Sequence, residues 1–169
     1  RQPALTVSGP CDKVPRRVKK WRTVPDMVFQ GTSAVTLDGK GRISVPSRHR
    51  DDLDAWCQGQ LTLTKSPAGC LLMFPRQAWL AFREKLLGLP MEADGWRRVF
   101  LGSAVDVEVD TSSRLLVPPE LRAAANLSRD VLLMGMGSRF ELWDAARYAA
   151  HEAQVMGSPM PDAVKAFVF

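Results

Sequence analysis

The segment LDGKGRISVP, residues 37–46, decides the fold, because VDTSSRLLVP at residues 109–118 repeats its frame. Each segment has an apolar residue, an aspartate, three small or flexible residues, an arginine, two mainly apolar positions, a valine and a proline. In both, the aspartate stands four residues before the arginine. The repetition indicates a duplicated chain. Two roles are open for the pair of Asp and Arg: it either closes a turn or presents charge to a partner.

The repeat extends to both sides of these two motifs. Strand-like AVTL at 34–37 precedes the first, and VDVEV at 105–109, which alternates valine with acid, precedes the second. Period-two alternation is typical of half-buried strands. Short helices are predicted from Pro46 and Pro118, because proline lacks the N–H that has no intrahelical partner in a first turn.

Two further apolar runs in each copy predict a hairpin, since loops that contain proline or glycine join them. The runs are 61–64 with 70–74 in the first copy, and 131–134 with 140–143 in the second. A longer helix is expected after each hairpin, over 76–89 and from an Asp144 N-cap to about 155, with a linking helix at 92–101.

These patterns predict an α+β fold of two tandem β-hairpin and helix repeats. One unit of about 50 residues has little core of its own, so we expect the copies to exchange hairpins and close a small swapped-hairpin barrel with peripheral helices. The expected divisions are a disordered basic extension at 1–26, repeats at 27–90 and 104–156, a linking helix at 91–103 and a tail at 157–169.

The net charge of +5 lies entirely within residues 1–26. The remaining residues hold 16 basic and 16 acidic groups, so an anion-binding surface on the folded part requires local clustering. Neither a secretory signal nor a membrane span is indicated, and we expect a soluble, intracellular protein. Three cysteines without a C-x-x-C pair and two distant histidines predict no disulfide framework, metal site or cofactor; they are Cys11, Cys57, Cys70, His49 and His151.

The chain from Met27 to about residue 155 resembles the MraZ family of bacterial transcriptional regulators, which have two tandem swapped-hairpin modules of the AbrB type. The resemblance rests on MVFQGTSAVTLDGKGRISVP, CLLMFP, RRVFLGSAVDVEVDTSSRLLVP and FELWD. It implies a start at Met27 and cytoplasmic, nucleoid-associated binding to double-stranded DNA. The implied targets are repeated short G-containing boxes in the promoter of the division and cell-wall gene cluster. It also implies a homo-oligomeric ring, with no membrane partner and no small-molecule substrate.

The first motif concentrates positive charge, which favours DNA binding. The candidate contacts there are Lys40, Arg42, Arg48 and Arg50, against the single acid Asp38. Gly39 and Gly41 allow the loop backbone to approach a phosphate closely. Arg42 can donate a bidentate fork to guanine O6 and N7, while Lys40 suits phosphate. If Asp38 closes the turn, it also orients the Arg42 fork before binding.

The second motif departs from the first at the same loop. Thr111, Ser112 and Ser113 replace the glycines and the lysine, so the loop loses flexibility and charge. Asp110 is predicted to close the turn. Arg114 is a weaker candidate for DNA contact, and a role in closing the fold is preferred for it.

Two other functions compete with the DNA-binding interpretation. The string VDTSS resembles the Asp-Thr-Gly/Ser signature of aspartic proteases, but the other copy has LDGKG, which lacks the threonine and places a cation beside the acid. We therefore expect no enzyme. An oligomeric scaffold without specific DNA binding remains the alternative.

Overall fold

The computed structural model describes residues 28–168, and the predicted basic extension at 1–26 lies outside them. The strands are β1 (Phe29–Thr36), β2 (Arg42–Ser44), β3 (Gln60–Lys65), β4 (Leu71–Pro75), β5 (Val105–Glu108), β6 (Arg114–Leu116), β7 (Asp130–Gly137) and β8 (Phe140–Asp144). The helices are α1 (Ser47–Cys57), α2 (Arg76–Leu87), α3 (Asp94–Gly102), α4 (Pro119–Ala124), α5 (Ala145–Met156) and α6 (Asp162–Val168). A 3₁₀ turn, Met91–Ala93, precedes α3.

Strand pairing interleaves the two halves of the chain. A six-stranded antiparallel sheet has the order β1-β7-β8-β4-β3-β5, and β2 and β6 form a separate antiparallel ribbon. The first strand of each half therefore pairs with the hairpin of the other half: Phe29 lies opposite Gly137, and Val105 lies opposite Leu63. The α+β class is confirmed.

The expected barrel is not confirmed, because the described strands do not close. Strands β1 and β5 are the two edges of an open sheet. The reason lies in the turn after β1, from which the chain leaves the sheet and pairs β2 with β6. The second half does the same after β5, apart from one bridge between Val109 and Leu115.

One face of the sheet packs against the ribbon, α1 and α4 to form the main core. Alternate strand residues point toward it, as the period-two patterns predict. Side chains that are fully buried there contribute about 1.5–3 kcal/mol each. They include Ile43, Leu61, Leu63, Leu71, Met73, Leu115, Leu121, Leu133, Phe140 and Leu142.

The opposite face of the sheet carries α2, α3 and α5 over a second, aromatic cluster. Phe74 of β4 stacks on Phe82 of α2 with ring centroids 4.9 Å apart. Trp79 and Leu86 from the predicted apolar stripe are buried, whereas Leu89 lies beyond the end of α2 and is exposed. The stripe on 76–89 is thus confirmed as a packing face for most of its length.

The predicted boundaries of the helices agree closely with the structure. Helix α1 follows Pro46 and α4 follows Pro118. The Asp144 N-cap is confirmed, since its Oδ1 accepts a hydrogen bond from the Arg147 N–H at 3.1 Å. Its Oδ2 accepts from the backbone N–H and the hydroxyl of Ser128. Of the helices within residues 28–168, none is long and apolar enough to span a membrane.

His49 of α1 is a buried polar residue in the main core. Its ring makes edge contacts with Phe29 and Phe140, at centroid distances of 5.8 and 5.0 Å. The Arg48 Nε donates to its Nε2 at 3.1 Å. Burial lowers the pKa of His49 from 6.5, and the Arg48 charge adds to this effect against the opposing influence of Asp52. Cys57 and Cys70 are buried free thiols, and Cys11 lies outside the described residues.

The protein should lose stability in mild acid because of His49. The pKa of the folded state lies below that of the unfolded state, so stability that is present above about pH 6.5 is lost as the pH falls below it. We expect a His49→Leu variant to lose less stability than wild type between pH 7.5 and 5.5, as measured by urea unfolding. His151→Gln, which changes an exposed residue, should keep the wild-type loss. Equal losses in wild type and His49→Leu would contradict this.

Candidate nucleic-acid interface

The ribbon of β2 and β6 has an inward and an outward face. Ile43 and Leu115 lie opposite each other and are fully buried. Alternation therefore places both motif arginines on the outward side, at opposite ends of the ribbon. We call this outward side the ribbon face; its residues are Arg42, Ser44, Arg114 and Leu116. Leu116 is half exposed at its edge.

One carboxylate organises the first turn, residues 38–41. The Gly41 N–H donates to the Asp38 carbonyl at 2.8 Å. Asp38 Oδ1 accepts from the backbone N–H groups of Lys40 and Arg42, at 2.9 and 2.8 Å. Its Oδ2 accepts from Arg42 Nε at 2.9 Å and Nη2 at 2.8 Å. The spacing of four residues thus allows the acid to cap the turn through Oδ1 and to hold the guanidinium by two contacts that converge on Oδ2.

The second turn, residues 110–113, repeats this arrangement with longer side-chain bonds. Asp110 Oδ1 accepts from the N–H groups of Ser112 and Arg114, both at 2.9 Å. Its Oδ2 accepts from Arg114 Nε at 3.1 Å and Nη2 at 3.0 Å. In both halves, therefore, the aspartate and arginine of the motif close the turn.

These bonds also set the ionisation of the two aspartates. The Arg42 backbone N–H, followed by its guanidinium, lowers the pKa of Asp38 from 3.8 to about 2. The Arg114 N–H is the main cause of a lowered pKa for Asp110. An aspartic protease needs two carboxyl groups that share one proton. Here each carboxylate has its own arginine, which argues against that alternative.

Arg122 of α4, in the second half, packs against the first turn. Gly41 has φ +80, and a Cβ at this position would lie 2.5 Å from Arg122 Cζ. The left-handed backbone thus favours glycine, and any side chain here would have to displace the neighbouring guanidinium. The matched residue of the second turn, Ser113, has φ +57. Sequence reasoning missed this role of Arg122. Its only signal was that it occupies the same repeat position as Arg50.

A cleft of about 580 Å³ lies beside the first turn and is built from both halves. We call it the first-turn cleft. Its positively charged side chains are those of Arg122 and Arg129. The backbone N–H of Leu37 donates to the Arg129 carbonyl at 2.8 Å. It is lined by Thr36, Leu37, Asp38, Gly39, Arg122, Ser128 and Arg129.

The matched cleft beside the second turn is mainly acidic. This second-turn cleft, of about 380 Å³, has a single cation, Arg50, against three carboxylates, those of Asp51, Asp54 and Asp110. The Arg50 Nε donates to the Val45 carbonyl at 2.8 Å. The two clefts therefore share a place in the repeat but differ in charge.

The structure separates the predicted DNA contacts into four places. Lys40 and Arg42 lie together at the first turn, and Arg114 lies at the other end of the ribbon face. Arg50 lies in the second-turn cleft. Arg48 is exposed on α1 and approaches β1, where a Cβ on Gly31 would be 3.2 Å from its Nη1. The assignment of all five to DNA stays a prediction.

Residues 28–168 contain no group of three or more His, Cys, Asp or Glu side chains placed to hold a metal ion.

Comparison with known proteins identifies close relatives. The profile of the family described as "MraZ protein, putative antitoxin-like" matches twice in tandem, at residues 28–99 and 100–165. The chain is 61% identical over 144 residues to "Transcriptional regulator MraZ" of Methylibium petroleiphilum, covering 85% of this chain and 99% of that protein. It is 60% identical over 142 residues to the protein of the same name from Ralstonia pickettii, covering 84% and 100%.

Gly41→Ala should destabilise the protein by about 1–2 kcal/mol, because a left-handed backbone disfavours a side chain and the new methyl group displaces the Arg122 guanidinium. Gly39→Ala is the matched control. A Cβ on Gly39 would meet nothing within 4 Å, so its effect should stay within about 0.5 kcal/mol. Chemical denaturation measures both, and equal effects would contradict the assigned contact.

Acid should remove the contribution of Asp38 to stability. Its pKa is lowered in the folded state, so the stabilisation is present above about pH 4 and is lost as the pH falls toward 2. The difference in free energy of unfolding between wild type and Asp38→Asn should therefore shrink across that window. Denaturant titrations from pH 5 to 2 measure it. A difference that stays constant would show that the carboxylate is not the stabilising group.

Proposed function

Because the chain belongs to the MraZ family, we propose that it regulates transcription by binding duplex DNA through the first turn and the ribbon face. Family membership confirms the resemblance found in the sequence, and the relatives named above are transcriptional regulators. The observation that carries the proposal is the first turn itself. There, exposed Lys40 stands beside an Arg42 that Asp38 holds on the outward side of a two-stranded ribbon.

The shape of the ribbon supports this mode of binding. The major groove is about 12 Å wide and admits a two-stranded β-ribbon. Arg42 uses Nε and one N–H of Nη2 for Asp38, so its remaining Nη donors can meet guanine O6 and N7. Its side chain is 26% exposed, so part of it is accessible to a ligand. Since the guanidinium is already oriented, little further entropy is lost when it binds.

In this proposal the first turn makes most of the contacts with DNA and the second turn makes few. The first turn contacts bases through Arg42 and phosphate through Lys40. The second turn lacks the lysine and adjoins an acidic cleft, so we assign Asp110 and Arg114 mainly to closing the fold. Each subunit then contacts DNA mainly through one turn, so tight binding requires several subunits to bind the same duplex.

We further propose that several subunits form a ring that binds repeated short G-containing boxes. We infer that these boxes lie in the promoter of the division and cell-wall gene cluster. The protein itself is inferred to be cytoplasmic and associated with the nucleoid. Support comes from the family resemblance and from tethering, which raises the effective concentration of each site after the first binds. The exchanged pairing of β1 and β5 supports a swapped-hairpin relation between modules at 27–90 and 104–156, joined through 91–103.

A scaffold without specific DNA binding is the second candidate. Exposed apolar side chains on and beside α2 and α3 favour self-association; they include Leu87, Met91 and Trp96. Association through such surfaces weakens little with salt, whereas binding that neutralises several phosphates weakens steeply. The salt dependence of DNA binding therefore separates the two candidates.

Arg42→Ala should reduce the preference for repeat-bearing over scrambled promoter DNA by about 1–3 kcal/mol per subunit engaged, because a bidentate contact to guanine is lost. Gel shifts measure the preference, and native mass should show an unchanged oligomer. Arg42→Lys should keep most of the affinity for scrambled DNA while losing the preference, since it keeps charge without the fork.

Arg114→Ala is the matched control, because it breaks the equivalent ion pair in the second turn. It should change the preference less than Arg42→Ala does. An unchanged preference in Arg42→Ala, or wild-type binding that is equal for both DNAs, would overturn the proposal. A flat salt response would favour the scaffold.

A further inference from the structure

We propose that the first-turn cleft binds a backbone phosphate of the DNA duplex through Arg122 and Arg129. The inference rests on the proposed function, which it deepens with two residues that the repeat motif does not contain. Both come from the second half of the chain, while the turn beside them comes from the first. The second half of the chain, which contributes little to base contact, would thus help to hold the duplex against the first turn.

Within the part of the chain that the structure describes, the cations of this cleft have no acidic partner. Within residues 28–168, neither Arg122 nor Arg129 lies within ion-pair distance of a carboxylate. The Nε of Arg122 is buried without an acceptor in that same range. Its matched residue Arg50 has one, the Val45 carbonyl. An unpaired charged donor is costly to bury, and an anion in the cleft would lower that cost.

The two matched clefts differ in charge. The first turn, its arginine and the lining of its cleft together hold four cations and one carboxylate: Lys40, Arg42, Arg122 and Arg129 against Asp38. Around the second, two cations face three carboxylates: Arg50 and Arg114 against Asp51, Asp54 and Asp110. Residues 27–169 are balanced in charge, so this difference concentrates positive potential at one end of the ribbon. An anion would be attracted to the first cleft and repelled from the second.

The first-turn cleft is also accessible to a phosphate. Gly39 lines the cleft, and the space where its side chain would stand is open to 4 Å. The one carboxylate present, Asp38, already accepts four hydrogen bonds from Lys40 and Arg42. It therefore offers no free acceptor that would hold the arginines away from a ligand. A ribbon in the major groove is flanked by the sugar-phosphate backbone, which places phosphates beside the turn.

The expected signature is a loss of affinity without loss of sequence preference, because phosphate contacts position a protein but do not specify bases. In the full chain, Arg129→Gln and Arg122→Gln should each weaken binding to repeat-bearing and scrambled DNA by the same factor. Each should also reduce the slope of log affinity against log salt by about 0.9, the value for one phosphate contact. Arg83→Gln makes the same charge change on an exposed position of α2 and should leave the slope unchanged.

The outcomes separate this inference from the proposed function. If wild type prefers the repeats but both variants keep its salt slope, the cleft does not bind phosphate and the function stands. If wild type shows no preference, the function itself fails. Arg129 is exposed, so Arg129→Gln decides the question should thermal unfolding show that Arg122→Gln disrupts the fold.

A free anion is the competing ligand for this cleft. Inorganic phosphate stabilises folded proteins generally, so the shift in thermal unfolding midpoint from chloride to phosphate at equal ionic strength should be the same in wild type and Arg129→Gln if the cleft serves DNA alone. Stabilisation by phosphate that disappears in Arg129→Gln, together with an unchanged DNA salt slope, would overturn the assignment to a DNA phosphate.

Discussion

The structure depends on one carboxylate in each half that accepts four hydrogen bonds within a turn of four residues. Asp38 and Asp110 each bind two backbone N–H groups and both arms of an arginine fork. This closure takes the chain out of the main sheet and starts the ribbon. Because the ribbon then buries Ile43 and Leu115 against the sheet, the same turn that exposes an arginine also builds the main core.

The two halves share the contacts that close the turn and differ in the residues around it. The atoms that close the turn are the same in both halves. The surroundings are free to differ, and they do: Arg122 and Arg129 border the first turn, while Asp51 and Asp54 border the second. A symmetric backbone therefore carries an asymmetric charge, and in the proposed mode of binding this charge favours one end of the ribbon for the duplex.

The interleaved strands tie the two halves into one unit. Strand β1 lies along β7, and β5 lies along β3, so each half completes the other's sheet. The same exchange brings α4 of the second half against the first turn, where Arg122 covers Gly41. A change in the second half can thus alter the first turn without touching its sequence. This is why the half with the weaker motif still bears on the proposed DNA contact.

The sequence by itself determined the local structure and the family. Alternating valines marked strands, Pro46 and Pro118 marked helix starts, and the spacing of Asp38 and Arg42 marked a turn, because each depends on residues only a few positions apart. Tertiary structure alone decided that the sheet stays open, that Arg122 meets Gly41, and that Arg50 lies among carboxylates. Those outcomes depend on pairings such as Phe29 with Gly137, between residues far apart in the chain. A pattern over a few neighbouring residues does not specify which distant residues pair.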